Sequence, residues 1–127
     1  MTKKILVVDD EEVIRDMLAK AFVTQGYEVI AATDAEEALA KITPDTQVMF
    51  LDLKLPGMSG MDLCRKIRKD SPLASIYAMT GYASLFELAD SREAGFDDYF
   101  TKPVKLEMLF MAAQLAFERL ELWEKKA

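Results

Sequence analysis

Five short runs of apolar residues recur along the chain, and a longer segment with helical spacing of apolar positions follows each run. The runs lie near residues 4–8, 27–31, 47–51, 75–79 and 97–100. Most are continuously apolar, which is typical of parallel strands covered on both faces. The helical segments lie near residues 12–25, 35–42, 60–69, 84–94 and 104–125. The pattern therefore predicts five βα units.

Five βα units of this size predict an α/β fold of the doubly wound, flavodoxin-like kind. We expect a five-stranded parallel sheet of order 2-1-3-4-5 with helices on both faces. Gly26 and Gly95 each follow a predicted helix, where glycine readily takes the left-handed conformation. Either Thr33 or Asp34 can cap the second helix, and Thr33 with Glu36 has the spacing of a capping box.

Polar side chains stand at the ends of four of the apolar runs. Asp9 and Asp10 follow the first run, Asp52 follows the third, Thr80 the fourth, and Lys102 comes just after the fifth. Ligands bind beyond the carboxyl ends of parallel strands, where the strand order reverses. The sequence thus predicts a cleft that gathers three carboxylates, a hydroxyl and an ammonium.

This set of groups suits one divalent cation and one phosphoryl group. Two carboxylates ~4 Å apart repel by about 4 kcal/mol at an effective dielectric of 20, and Mg²⁺ or Mn²⁺ relieves that repulsion. Asp52 is the best nucleophile because it ends the central strand, and a carboxylate can form an acyl phosphate. Asp9 and Asp10 can hold the metal, while Lys102 and Thr80 can contact phosphoryl oxygens. Alternatively, adjacent acids simply favour a helix N-terminus.

The composition excludes several other functions. The chain has 127 residues, enough for one domain with its own core, and a net charge of −6 argues against direct nucleic-acid binding. No histidine is present, so histidine nucleophiles, bases and metal ligands are excluded. Cys64 is the only cysteine, so no internal disulfide forms. With no signal peptide and no apolar run of about 20 residues, we expect a cytoplasmic protein that does not enter the membrane.

The chain resembles the response-regulator receiver domains of two-component signalling, such as the chemotaxis regulators, over essentially its whole length. Four motifs in this order carry the resemblance: Val7-Val8-Asp9-Asp10-Glu11, Asp52-Leu53-Lys54-Leu55-Pro56-Gly57-Met58-Ser59-Gly60, Thr80-Gly81-Tyr82 and Asp98-Tyr99-Phe100-Thr101-Lys102-Pro103. Within them, we assign structural turns to Pro56, Gly57, Gly60 and Pro103.

The resemblance implies a phosphorelay chemistry for the cleft. Asp52 would take a phosphoryl group from a phosphohistidine on a sensor histidine kinase or a histidine phosphotransfer protein. Mg²⁺ would be bound by Asp10, Asp52 and the backbone carbonyl of Lys54, with Asp9 helping. The resemblance also implies a cis peptide between Lys102 and Pro103.

The resemblance further implies how a signal leaves the cleft. Thr80 and Tyr99 match the family's switch pair, in which a threonine on strand 4 is coupled to an aromatic ring on strand 5. Helix 4, strand 5 and helix 5 would then form the output surface. Lys54 and Tyr82 match the positions that tune the lifetime of the acyl phosphate.

The last predicted helix carries apolar residues on two sides. One side repeats in helical spacing and predicts a stripe facing the core: Leu106, Leu109, Ala113, Ala116, Leu120 and Trp123. We call the other side the outer α5 strip, formed by Met108, Met111, Leu115 and Leu122. Because a helix that is apolar on two faces usually has two neighbours, we predict that a protein partner or a second copy of the chain docks on this strip.

Two alternatives to a phosphorylated receiver remain open from the residues. A pseudo-receiver would bind partners without ever taking phosphate. A metal-dependent phosphohydrolase would also use an aspartate nucleophile, although such enzymes usually carry a second aspartate where Lys54 stands here. We expect residues 1–127 to form a single receiver domain with no output domain, acting alone or within a longer regulator on a downstream target or a fused output domain.

Overall fold

The computed structural model describes residues 3–81 and 84–126, in which strands and helices alternate. The strands are β1 Lys4–Val8, β2 Glu28–Ala32, β3 Val48–Asp52, β4 Ser75–Thr80 and β5 Asp98–Thr101. The helices are α1 Glu12–Thr24, α2 Ala35–Lys41, α3 Gly60–Asp70, α4 Leu85–Ala94 and α5 Leu106–Lys126. All ten predicted elements are present, with ends displaced by at most two residues.

The five strands form one parallel sheet in the order β2-β1-β3-β4-β5, which confirms the predicted topology. Strand β3 is buried along its whole length, as its continuous apolar run indicated. Val8 of β1 pairs with Leu51 of β3, so the next residues, Asp9 just after β1 and Asp52 at the end of β3, lie side by side. This register is what brings Asp9 next to Asp52.

Alternation along the strands divides the core into two layers. Leu6 of β1 faces one layer, which includes residues of α2, α3 and α4. Ile5 of the same strand faces the other layer, which includes Phe22 of α1 and Leu109 of α5. The helices therefore cover both faces of the sheet, and the strand ends remain open at one edge.

The cap of α2 decides between the two predicted capping residues. The Asp34 side chain accepts a hydrogen bond from the backbone N–H of Glu37 at 2.8 Å. Thr33 instead donates its hydroxyl to the Glu37 carboxylate at 3.1 Å, so the predicted capping box of Thr33 with Glu36 is wrong. Gly26 and Gly95 take φ values of 92° and 109° after their helices, as predicted.

Helix α5 buries most of its predicted core stripe but not the end of it. Leu109, Ala113 and Ala116 are fully buried, whereas Trp123 is 55% exposed, so its placement in the core was wrong. A helix of 21 residues is about 31 Å long, whereas a 5-residue strand spans about 17 Å. The last turns of α5 therefore extend past the sheet, which leaves Trp123 exposed.

Within the described ranges, no helix is long and apolar enough to cross a membrane.

Candidate functional site

The ends of three neighbouring strands place the carboxylates and the hydroxyl at one edge of the sheet. Asp9 directly follows β1, Asp52 ends β3 and Thr80 ends β4, and all three residues are buried. Beyond the strand ends, the backbone N–H of Leu53 donates to the backbone carbonyl of Met79 at 3.0 Å. The N–H of Lys102 likewise donates to the backbone carbonyl of Thr80 at 2.7 Å. The strands thus remain paired up to the residues that form the cleft.

The Lys102 ammonium joins three acidic side chains of the cleft. Its Nζ lies 3.0 Å from Asp9 Oδ2, 3.1 Å from Asp52 Oδ2 and 3.4 Å from Glu11 Oε1. The predicted convergence of Asp9, Asp52 and Lys102 is therefore present. Glu11 was not singled out from the sequence, although its place in an acidic run next to Asp10 was a signal.

Backbone donors fix the second oxygen of each buried carboxylate. The N–H of Glu11 donates to Asp9 Oδ1 at 2.9 Å, and the N–H of Lys54 donates to Asp52 Oδ1 at 3.1 Å. Arg15 of α1 donates through its guanidinium to the backbone carbonyl of Asp9 at 2.9 Å. The Arg15 contact was missed, because a separation of six residues that spans a strand end and a helix start gives no periodic signal.

Burial and neighbouring charges perturb the pKa values of the cleft. Burial raises the pKa of the Asp52 carboxyl, and the charge of Asp9 adds to this, while the Lys54 N–H and Lys102 oppose it. Burial alone would lower the pKa of Lys102, but its contacts with Asp9 and Asp52 outweigh that effect and raise it. Lys102 therefore stays protonated and supplies one positive charge between two buried carboxylates.

The carboxylates of Asp9, Asp10 and Asp52 could hold a metal ion together. Each offers one oxygen, and these oxygens lie within 4.8 Å of one another. Asp10 is exposed, whereas Asp9 and Asp52 are buried, so the cluster is open to water on one side. Oxygen ligands with room for water suit Mg²⁺, which keeps part of its hydration shell. The backbone N–H of Lys54 contacts Asp52 in the structure. That the backbone carbonyl of Lys54 is a metal ligand stays a prediction.

Two glycines of the loop after β3 have conformations or contacts that a side chain would disturb. Gly57 has a φ of 74°, in the left-handed region. A Cβ atom at Gly60 would lie 2.2 Å from the carbonyl oxygen of Asp52, so the start of α3 packs directly against the backbone of Asp52. Pro56 lies in the same loop, before α3 begins, and the peptide between Lys102 and Pro103 is cis, as the resemblance implied.

The proposed switch residues lie on neighbouring strands. Tyr99 of β5 pairs with Ala78 of β4, two residues before Thr80, and is 40% exposed. Tyr82 lies outside the described residues. The outer α5 strip is at the surface, since Met108, Met111, Leu115 and Leu122 are each between 51% and 59% exposed. Tyr99 and the outer α5 strip therefore lie on an exposed surface, whereas Asp9, Asp52 and Thr80 of the cleft are buried.

Comparisons with known proteins agree on one family. The family model described as response regulator receiver domain matches residues 5–114. The alkaline phosphatase synthesis transcriptional regulatory protein PhoP of Bacillus subtilis is 41% identical over 104 residues, which cover 81% of this chain and 43% of PhoP. The transcriptional regulatory protein YrkP of the same organism is 34% identical over 126 residues, covering 99% of this chain and 54% of YrkP. The chain thus spans about half the length of these curated relatives.

Solved structures show the same likeness. The receiver domain protein of Methanospirillum hungatei, described as CheY-like, aligns with a TM-score of 0.86 and 38% identity over the whole of both chains.

Proposed function

Because this chain belongs to the response-regulator receiver family of two-component systems, we propose that Asp52 accepts a phosphoryl group from a partner's phosphohistidine. The partner would be a sensor histidine kinase or a histidine phosphotransfer protein. The observation that carries the proposal is the Lys102 ammonium, which bridges Asp52 to the buried Asp9 at the ends of neighbouring strands. The family is one of signalling receivers rather than phosphohydrolases. We therefore expect the chain to take up a single phosphoryl group on itself and not to hydrolyse many external phosphate esters.

The transfer needs few groups beyond those in the cleft. An Asp52 oxygen attacks the phosphorus, the new O–P bond forms as the P–N bond breaks, and the electron pair stays on the partner's imidazole nitrogen. Lys102 neutralises negative charge on the phosphoryl oxygens, and the Thr80 hydroxyl would donate to one of them. Mg²⁺ or Mn²⁺, held by Asp9, Asp10, Asp52 and the Lys54 carbonyl, would supply the charge that lets a phosphoryl dianion approach these carboxylates.

The phosphorylated state would be read at α4, β5 and α5. Thr80 ends β4 beside Asp52, and the exposed ring of Tyr99 lies on the adjacent strand. A change at Thr80 can therefore reach the surface through a single pair of strands. Coupling of this kind typically changes partner affinity about 5–150-fold. The reader would be a downstream protein, a fused output domain or a second copy of the chain.

The outer α5 strip is the proposed site of that docking. Replacing Met111 and Leu115 with Glu should abolish self-association or partner binding, because two charges would enter an apolar contact. Val13→Glu is the matched control, since Val13 is 81% exposed on α1. Unchanged self-association of the Met111→Glu, Leu115→Glu variant, measured by sedimentation, or an unchanged affinity for the partner would remove the strip from the account.

The phosphorylation itself is tested by intact mass after incubation with acetyl phosphate or phosphoramidate. The proposal predicts one added phosphoryl group that requires Mg²⁺ and is absent after chelation or in Asp52→Asn. A beryllofluoride binding assay repeats the test without a transfer step. A protein that takes up neither the phosphoryl group nor beryllofluoride would instead be a pseudo-receiver.

A further inference from the structure

The three carboxylates of the acidic cluster are not held in the same way. Asp9 is fixed by the Glu11 N–H and Lys102, and Asp52 by the Lys54 N–H and Lys102. Asp10 is exposed, and among the described residues its carboxylate has no hydrogen bond or ion pair. The direction of the Asp10 Cα–Cβ bond, from which its carboxylate is presented to the cleft, is therefore set by the backbone alone.

The backbone entering Asp10 is held by Arg15. The carbonyl that accepts the Arg15 guanidinium at 2.9 Å belongs to Asp9, and its peptide unit also contains the nitrogen of Asp10. Because a peptide unit is planar, fixing the Asp9 oxygen fixes the plane from which the Asp10 Cα extends. The other side of Asp9 is held as well, since its N–H donates to Ala32 at 3.1 Å.

Arg15 is itself well placed to act as a clamp. It lies in the first half of α1, where its own N–H donates to the Glu11 carbonyl at 2.9 Å, and its side chain is partly buried. A hydrogen bond from a charged donor is stronger than one between neutral groups. The guanidinium thus ties the first turns of α1 to the strand end that presents Asp10.

From this geometry we propose that Arg15 is a positioning residue for the metal site, which aims the Asp10 carboxylate at the cation through the Asp9–Asp10 peptide. The inference rests on the proposed function, because it requires that Asp9, Asp10 and Asp52 bind Mg²⁺. Residues that orient metal ligands from outside typically contribute about 10–100-fold to metal affinity.

The test is the dissociation constant for Mg²⁺, measured by calorimetry on the wild type, Arg15→Met and Arg15→Lys. Arg15→Met keeps an apolar stem but loses the donor, and its Mg²⁺ dissociation constant should rise about 10-fold. Arg15→Lys keeps a charged donor and should recover part of that loss. Arg65→Met is the matched control, because Arg65 pairs with Asp62 on the exposed face of α3, and its Mg²⁺ affinity should be unchanged.

Urea unfolding in the presence of chelator measures how much Arg15 stabilises the metal-free fold. Simple stabilisation predicts a less stable Arg15→Met protein with an unchanged Mg²⁺ dissociation constant, whereas positioning predicts that this constant rises in the folded protein. A positioning role predicts that saturating Mg²⁺ restores the phosphorylation rate of Arg15→Met. Wild-type Mg²⁺ affinity in Arg15→Met would overturn the inference while leaving the proposed function intact. If the wild type bound no Mg²⁺, the proposed metal site would fail and the inference with it. Should Arg15→Met not fold, Arg15→Lys decides the question: a Mg²⁺ dissociation constant above that of the wild type supports the inference, and one equal to it overturns the inference.

Discussion

Replacing Gly60 with Ala should disturb both the stability of the fold and the position of the proposed phosphoryl acceptor. The added Cβ would lie 2.2 Å from the carbonyl oxygen of Asp52 and 2.9 Å from the Cα of Leu53. Since carbon and oxygen atoms in such contacts stay about 3.3 Å or more apart, the two backbones must separate by roughly 1 Å. No side-chain rotation can relieve this contact, because both neighbouring atoms belong to the main chain.

The free energy of unfolding should fall by about 2 kcal/mol in Gly60→Ala. Overpacking typically costs about 1–3 kcal/mol, and a backbone clash belongs at the upper end of that range. The better helix propensity of alanine offsets up to about 1 kcal/mol of it. A displacement of ~1 Å at a reacting group can also slow a reaction about 100-fold, so phosphorylation of Asp52 by acetyl phosphate should be strongly slowed.

Urea unfolding of the wild type, Gly60→Ala and Gly81→Ala tests this reasoning. Gly81 is the control, because its φ is not positive and, apart from its chain neighbours, none of the described residues lies within 4 Å of a Cβ atom built there. The stability of Gly81→Ala should therefore stay within about 0.5 kcal/mol of the wild type. A Gly60→Ala protein as stable as the wild type, or equal losses in both variants, would refute the close approach of α3 to Asp52.

Three further predictions concern Lys102, the cap of α2 and the buried Cys64. The free energy of unfolding of Lys102→Met, measured in urea without Mg²⁺, should fall by about 3 kcal/mol because two buried carboxylates lose their cation. Since burial raises the pKa of Asp52, this loss should shrink as the pH falls, and an equal loss at pH 7 and pH 5 would contradict the prediction. Asp34→Ala should cost about 1 kcal/mol as a lost helix cap, and a larger loss in Thr33→Ala would show that the cap is misassigned. Burial raises the pKa of the Cys64 thiol to about 11, so Ellman's reagent should label it only after unfolding. Because the usual pKa is 9.0, this thiol should leave the free energy of unfolding unchanged below pH 9.0 and should lower it as the pH rises from 9.0 toward 11, where the unfolded thiol loses its proton first.

Much of the fold could be predicted because its elements are locally encoded. The apolar runs of β1, β3 and β4 are buried along nearly their whole length, and polar residues end them at the edge of the sheet. Five βα units indicated a doubly wound parallel sheet, and the expected order 2-1-3-4-5, which the units alone do not fix, placed Asp9 beside Asp52 before any contact was known. The C-terminal ends of α1 and α4 were predictable to within one residue because Gly26 and Gly95 follow these helices.

Contacts that join distant parts of the chain could not be predicted. The sequence indicated that Lys102 reaches the cleft, but not that its ammonium also contacts Glu11, 91 residues away. Gly60 belonged to a recognisable motif, yet the backbone it touches is known only from the packing of α3 on β3. The exposure of Trp123 depends on where the sheet ends relative to α5, and the helical period of α5 carries no information on that.

The central claim is that Asp52, rather than any other side chain, carries the phosphoryl group. Borohydride reduces an acyl phosphate of aspartate to homoserine, so peptide mapping after phosphorylation and reduction locates the acceptor directly. The account predicts homoserine at position 52, dependent on Mg²⁺ during phosphorylation and absent from chelated samples. Homoserine at Asp9 or Asp10, or a phosphoryl group on a hydroxyl side chain, would contradict it.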